Sequence, residues 1–440
     1  MINIERLQRD GNMRYSKELS KMLDAAGAKD GCKISLTTDG REHIGVLMPN
    51  ASADPDVIVI KLKNGYHVGL RVSAGASVKV LEQPIVRTAE RKARVPKKGL
   101  PDLVLIGTGG TIGSQANTET GAMAAGMATE LLLDVAPEAA GIANIRTRDA
   151  ASVFSENMSV EHWQELAKTV AEELNGGAAG VIISHGTDTI GYTAAALSFM
   201  LTELSAPVVL VGSQRSTDRP SSDAPGNLMA SVRFCLSGTP GVYVIMQDTM
   251  SDDSFAVHRG TRVRKMHTSR RDAFRSINAV PVAHIDAPGN ITFKDEVPAP
   301  SKVTKAVTKM CQEVVLLQFY PGMEPSLFRD VIMRSKGAVI AGSGLGHVSE
   351  GMETLLKEAA ANGTIVVMTS QCLNGPTGMN VYDTGRRLQE AGVIPVMDML
   401  PETAYVKLMW ALANSKNVAE TMRTKLSFEM GERRTVDVVW

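Results

Sequence analysis

From Asp102 onward the chain repeats one pattern: a continuous apolar run that breaks into small polar residues, then a helical stretch. The runs are LVLIGTGG, GVIISHGTD, PVVLVGSQ, GVYVIMQD, VVLLQFY, AVIAGSG and TIVVMTSQ. A strand with one wet face alternates apolar and polar residues. An unbroken apolar run is instead a strand covered on both faces, as in a parallel sheet between layers of helix. In the intervening residues 159–174, Val160, Trp163, Leu166, Val170 and Leu174 recur at spacings of three and four. That spacing sets one apolar stripe against such a sheet. The pattern predicts an α/β fold with ligands at the carboxyl ends of the strands. It is interrupted near residues 287–305 by Pro288-Gly289-Asn290 and Pro298-Ala299-Pro300, which marks a boundary between two α/β domains.

The residues before Asp102 have a different texture. KISLTT, HIGVLM, VIVIKL, HVGLRV and SVKVLE are short β-type runs separated by turn clusters such as Asp39-Gly40 and Asn64-Gly65. Asn-Gly between apolar runs favours a hairpin, because a tight primed turn needs positive φ at both central residues. Five such runs predict a small antiparallel β-barrel, with a helix near residues 16–26 ahead of it. Residues 83–100 hold Arg87, Arg91, Lys92, Arg94, Lys97 and Lys98 against Glu90, a charge run that reads first as a solvated connector. The predicted organisation is therefore a barrel-like domain at 1–82, a basic linker at 83–100, a larger α/β domain at 101–295 and a smaller one at 296–440.

The formal net charge of zero argues against broad electrostatic capture of nucleic acid, though a local basic patch is compatible with it. Cys32, Cys235, Cys311 and Cys372 are scattered with no C-x-x-C pair, poor material for a disulfide framework or a zinc site. The first 21 residues mix charges with no apolar core of a signal peptide, and no apolar run approaches the roughly 20 residues of a membrane helix. A cytoplasmic protein without membrane contact is expected.

Three strand-end clusters carry the chemistry. Gly107-Thr108-Gly109-Gly110-Thr111-Ile112-Gly113 follows a buried strand. No G-x-x-x-x-G-K-[ST] is present, and a dinucleotide fingerprint would need glycine where Ile112 stands. Ser184-His185-Gly186-Thr187-Asp188-Thr189 offers a hydroxyl beside a carboxylate; standing alone, such a pair is more often a helix cap. Thr261-Arg262-Val263-Arg264-Lys265-Met266-His267 supplies a lysine among arginines, in isolation more often a surface cluster. A threonine hydroxyl needs an adjacent base to attack a carbonyl. Lysine is that base only where its pKa, about 10.4 in a free side chain, falls toward neutrality. Arg262 and Arg264 would press it down, and Asp188 would oppose the shift but fix the side chain.

Taken in order, GTGGTIGS, SHGTDT, VGSQRSTDRPSSDAPGNL and VRKMHT resemble the L-asparaginase/glutaminase family of threonine amidohydrolases, over residues 102 to about 426. The resemblance implies a two-domain α/β fold, a threonine nucleophile at Thr111, and a second group of Thr187, Asp188 and Lys265. It further implies substrate binding by Ser155, Glu156 and Gly110, with no metal. Which threonine attacks first stays open. The family's loop tyrosine has no counterpart in residues 115–122, where Glu119 is the best-placed residue.

The hundred residues ahead of GTGGT, with HRGTRVRKMHTSRRDAFRSIN and QCLNGPTGMNVYDTGR, resemble the D-type subunits of archaeal glutamyl-tRNA(Gln) amidotransferase over the whole chain. That implies glutamine or asparagine hydrolysis and ammonia passed to a partner, the E-type subunit of the amidotransferase. The partner would handle ATP and Mg²⁺ and convert Glu-tRNA(Gln) to Gln-tRNA(Gln), with this chain a homodimer inside a heterotetramer. No cofactor is expected in the chain itself. A free-standing L-asparaginase and a catalytically silent binding subunit are the competing readings; the intact Thr111, Thr187, Asp188 and Lys265 speak against the second.

Overall fold

The computed structural model describes residues 15–48, 50, 54–62, 67–73, 75–83, 96–109, 114–116, 123–125, 129–217 and 222–431. They fall into two compact units, one formed mainly by residues 1–96 and the other by most of the remainder.

In the first unit, helix α1 (Lys17–Ala25) is capped by Ser16, whose Oγ accepts from the Leu19 amide. Leu19 and Leu23 stand one turn apart and pack with Ile34, Leu36, Leu47, Ile58 and Ile60 in one small core. The strands are β1 (Lys33–Thr38), β2 (Arg41–Met48), β3 (Val57–Lys61), β4 (His67–Arg71) and β5 (Ser77–Glu82). They pair antiparallel in the order β4-β3-β2-β1-β5. Among the described residues the edge strands β4 and β5 do not pair with each other, so the expected barrel is found here as an antiparallel sheet. The Asn64-Gly65 turn and most of the basic linker lie outside the described residues.

The second unit is built on two sheets. The larger contains β6 (Asp102–Gly109), β7 (Asn144–Val153), β8 (Gly180–Ser184), β9 (Pro207–Val211), β10 (Gly241–Gln247), β11 (Ser254–Arg259), β14 (Ala283–Asp286) and β15 (Ile291–Phe293). A separate hairpin of β12 (Val263–Lys265) and β13 (Phe274–Ser276) lies between β11 and β14 in the chain. The larger sheet runs β15-β14-β11-β10-β9-β8-β6-β7. β7, β6, β8, β9 and β10 are parallel, whereas β11, β14 and β15 are antiparallel. The expected parallel sheet is thus mixed, with antiparallel pairing at one side. The link from β10 to β11 spans residues 248–253, too few for a crossover of a dozen or more, so the chain reverses.

Strand alternation divides β6 between two cores. Val104 and Ile106 face helices α2 (Val160–Asn175) and α3 (Ile190–Met200), while Leu103 and Leu105 face α4 (Ala224–Cys235). The smaller sheet is parallel throughout, β16 (Val314–Gln318), β17 (Gly337–Gly342), β18 (Ile365–Ser370) and β19 (Ile394–Pro395) in that order. Helices α5 (Pro325–Arg334), α6 (Glu350–Ala361) and α7 (Asp383–Glu390) belong to this region. Helix α8 (Pro401–Asn414) packs on α3 and on β17, so one core joins the two sheets. No helix among the described residues is long and apolar enough to cross a membrane.

One buried ion pair seats the end of this region. Lys407 on α8 has no exposed side-chain surface, nor has Glu429. The Lys407 ammonium donates to Glu429 Oε1 at 2.5 Å, to the Thr424 carbonyl at 2.6 Å and to the Met422 carbonyl at 3.4 Å. Glu429 accepts from the amides of Leu426 at 2.9 Å and Ser427 at 2.6 Å. Both charges taken from water are thereby given hydrogen-bond partners, which a buried charge requires.

Candidate active site

Strand β8 ends at Ser184, level with Gly107 of β6. Ser184 is held from that side, its carbonyl accepting from Thr108 Oγ1 at 2.8 Å. The next residue, His185, donates its amide to the Val211 carbonyl at 2.8 Å. The chain then leaves the sheet through Gly186, Thr187 and Asp188 and enters α3. Thr187 is buried, with 5% of its surface exposed, and Asp188 next to it keeps 70% of its side chain in solvent.

Lys265 arrives from the end of β12. Its ammonium donates to Thr187 Oγ1 and to Asp188 Oδ1, each at 2.8 Å. Both distances lie within the 2.6–3.2 Å or so over which a base takes a proton from a hydroxyl. A lysine that has lost its proton would hold a lone pair on the Thr187 hydroxyl, while Asp188 keeps the nitrogen from swinging away. This constellation can activate a hydroxyl and return the proton to a leaving group.

The arginines flanking Lys265 each face a carboxylate of their own. Period-two alternation turns Arg264 to the opposite face of β12, where it meets Glu402 at 3.4 Å. Burial pushes the Glu402 carboxyl up, and the Arg264 charge opposes that push. Arg262, almost fully buried, pairs with Asp398 at 3.0 Å and donates Nε–H to the Phe428 carbonyl at 2.8 Å. Thr261 Oγ1 donates to the Ser427 carbonyl at 2.8 Å. Both arginines are therefore matched by carboxylates. Thr261 and Arg262 tie the root of the lysine strand to residues 166 positions further along.

Ser155 lies against the turn from the other side. A side-chain carbon on Gly186 would come within 2.7 Å of Ser155 Cβ and 2.9 Å of its Oγ, so only glycine fits between them. Thr189 Oγ1 donates to the Ser155 carbonyl at 2.6 Å. Thr189, the second threonine of T-D-T, thus ties Ser155 to the turn, a role its place in the motif does not reveal. Ser155 is buried and the neighbouring Glu156 exposed. Thr111, Gly110 and Glu119 lie outside the described residues, as does most of the loop after β6. The strand delivering them is described to Gly109, whose φ is +97° and where a side-chain carbon would fall 2.5 Å from the Val153 carbonyl oxygen, so no side chain fits. Among the described residues no group of three or more His, Cys, Asp or Glu is placed to hold a metal.

Known proteins resemble the chain along most of its length. Residues 102–299 match the family model "Asparaginase, N-terminal", residues 313–424 match "Glutaminase/Asparaginase C-terminal domain", and residues 28–81 match "GatD N-terminal domain". The chain is 46% identical to the glutamyl-tRNA(Gln) amidotransferase D-type subunit of Pyrococcus furiosus, over 92% of this chain and 94% of that protein. The corresponding protein of Methanothermobacter thermautotrophicus is 41% identical over 96% of this chain and 99% of its own length. Among solved structures, the thermostable L-asparaginase from Thermococcus kodakarensis aligns with a TM-score of 0.68 at 33% identity, covering 75% of this chain and 99% of the other. Similarity of this extent, running from the N-terminal sheet through both α/β regions, makes the chain a member of the family of glutamyl-tRNA(Gln) amidotransferase D-type subunits.

Proposed function

We propose that the chain is the ammonia-generating subunit of a tRNA-dependent amidotransferase. It hydrolyses the side-chain amide of glutamine to glutamate and passes the ammonia to an E-type subunit, which converts Glu-tRNA(Gln) to Gln-tRNA(Gln) with ATP and Mg²⁺. The observation that carries the chemistry is Lys265 Nζ at 2.8 Å from both Thr187 Oγ1 and Asp188 Oδ1. A threonine hydroxyl, from Thr111 or Thr187, attacks the amide carbon as its proton passes to the Lys265–Asp188 pair. The carbon–nitrogen bond breaks, the nitrogen takes a proton and leaves as ammonia, and water cleaves the resulting ester to release glutamate. Ser155, Glu156 and Gly110 bind the amino-acid part of the substrate.

Family membership supports the assembly we propose. It is a homodimer of this chain joined to the E-type partner as a cytoplasmic heterotetramer. In this reading a barrel-like domain spans 1–82, a linker 83–100, the catalytic α/β domain 101–295 and the smaller domain 296–440. A free-standing L-asparaginase is the second reading, favoured by the L-asparaginase structures that cover three quarters of the chain. The match of residues 28–81 to the "GatD N-terminal domain" model weighs against it.

The test is ammonia release from glutamine and from asparagine by the full chain, with and without the E-type partner and Glu-tRNA(Gln). Low basal glutaminase activity that rises with both additions is expected, and T111A or T187V abolishes it in a folded protein. Fast asparagine turnover by the chain alone, unaffected by partner or tRNA, would establish the second reading instead.

A further inference from the structure

The turn presenting Thr187 rests on three side chains, none of them hydrogen-bonded to Lys265. Trp163 Nε1 lies 3.0 Å from Thr193 Oγ1, Thr193 Oγ1 lies 2.9 Å from His185 Nε2, and His185 Nδ1 lies 2.7 Å from the carbonyl of Gly186. All three side chains are buried, His185 and Thr193 completely.

The ends of this chain of hydrogen bonds fix its direction. A carbonyl only accepts, so His185 Nδ1 carries a proton and donates it to Gly186. An indole N–H only donates, so Thr193 Oγ1 accepts from Trp163. The Thr193 hydroxyl then has its own proton to give, and His185 Nε2 takes it with a free lone pair. Kept neutral by its burial, the imidazole is a single tautomer with both nitrogens engaged. Removal from water holds the ring's pKa down to about 4.

From this geometry we infer that Trp163, Thr193 and His185 are positioning residues for the amide-hydrolysing site, holding the Gly186 carbonyl and through it the direction in which Thr187 faces Lys265. The turn is clasped elsewhere as well. Ser155 closes on Gly186, and a side-chain carbon on Gly212 would fall 2.7 Å from Thr187 Cγ2 and 2.9 Å from the His185 carbonyl. Those contacts limit translation of the turn. The His185 bond is the one that fixes the rotation of the Gly186 peptide plane, and Thr187 begins at that plane. His185 exchanges no proton with substrate; its value lies in staying neutral and fixed. The inference rests on the reading of Thr187 and Lys265 given above.

Two substitutions separate the ring's two nitrogens. Asparagine sets an amide nitrogen near the position of Nδ1, and glutamine sets its terminal amide near Nε2. Ammonia release by the full chain is measured for H185N, H185Q, T193S and T193V, with melting curves for each. H185Q and T193V are expected to lose about tenfold to a hundredfold in kcat, the range for an error of roughly 1 Å in a reacting group. Their KM stays within about threefold, and H185N and T193S recover most of the loss. The pH profile of kcat/KM keeps its midpoints in every variant. A glutamine variant as active as wild type, or better than H185N, overturns the inference. So does loss of a limb of the pH profile, which would make His185 a proton-transfer group.

The tautomer has its own readout, independent of activity. Nitrogen-15 spectra of the histidine rings should show His185 protonated at Nδ1 and bare at Nε2, without titration from about pH 5 to about pH 9. Protonation at Nε2 overturns the relay even if every variant folds poorly. If T187V retains full ammonia release, the site reading fails instead, while the spectra still decide the tautomer.

Discussion

Lys407→Met removes the ammonium from a site with no exposed surface and leaves the Glu429 carboxylate beside an apolar chain of similar length. Glu429 keeps the Leu426 and Ser427 amides but loses its counter-charge, and a buried carboxylate in that position is relieved by taking a proton, so the work of protonating it is an upper bound on the electrostatic cost. With an unfolded-state pKa of about 4.3, that work is about 3.7 kcal/mol at pH 7 and about 1 kcal/mol at pH 5. The sign follows from the pKa raised in the folded variant. Stability is intact below about pH 4.3 and is lost as pH rises, by about 1.4 kcal/mol per unit until the folded carboxyl ionises. Urea unfolding, followed by the fluorescence of Trp410 on the same helix as Lys407, should give a difference between wild type and variant that is larger at pH 7 than at pH 5, by up to about 2.7 kcal/mol. The Thr424 and Met422 carbonyls also lose their donor, a cost on the order of 1–3 kcal/mol per group that is independent of pH. A K407M/E429L chain, apolar on both sides, should recover the pH-dependent part. A difference that does not change between the two pH values would refute the reasoning, because it would mean that Glu429 finds another counter-charge or water.

Lys265→Ala should lower kcat for ammonia release by about 10²–10⁴-fold. Lys265→Arg should not restore it, because arginine stays protonated, and a fully active arginine variant would leave lysine an electrostatic role only. Gly186→Ala should fold less well and lose most activity, since its methyl group meets Ser155 at 2.7 Å; unchanged kinetics and melting would show that the turn has slack. His185 and His258 are buried with pKa values pressed down by burial to about 4 and about 3. The unfolded chain takes up two protons below about pH 6.5 that the folded chain refuses, so stability falls with decreasing pH. The slope is about 2.7 kcal/mol per unit down to about pH 4, and H258Q should roughly halve that contribution in urea midpoints compared between pH 7 and pH 5. Glu353 is held down to about 2, chiefly by Arg387 and also by Lys357. Its stabilising share is complete above about pH 4.5 and disappears as pH falls toward about 2, so E353Q should flatten acid unfolding in that window.

The buried elements were legible because each signal was local. Each of the seven apolar runs from Asp102 onward contains a strand of one of the two main sheets. The stripe Trp163, Leu166, Val170 and Leu174 is the buried face of α2. The edges were not legible. β7 carries Arg146, Arg148 and Asp149 because it borders the sheet and keeps water on much of its length, so it never forms an apolar run. β11, SFAVHR, ends in a histidine and an arginine whose partners, Ser276 and Asp295, come from other segments. At the site, Thr187, Asp188 and Lys265 were nameable from their motifs, but their 2.8 Å contacts depend on a pairing across 77 and 78 residues. The partners of Arg262 and Arg264, Asp398 and Glu402, sit 136 and 138 residues away. Proximity in sequence suggested instead that the two arginines act on Lys265.

The bonds from Thr261 and Arg262 to the carbonyls of Ser427 and Phe428 bear on how the enzyme comes into being. Translation at about 5–20 residues per second separates the two partners by roughly 8 to 33 s. Through that interval the root of the lysine strand lacks these two bonds, although its hairpin with β13 and the sheet beside it have already been made. If those two bonds are needed to seat Lys265, a growing polypeptide is expected to stay hydrolytically silent until its distal segment has folded back, sparing glutamine from half-made molecules. Stalled chains released before and after residue 428 should differ sharply in ammonia release, with the change falling there rather than at Lys265.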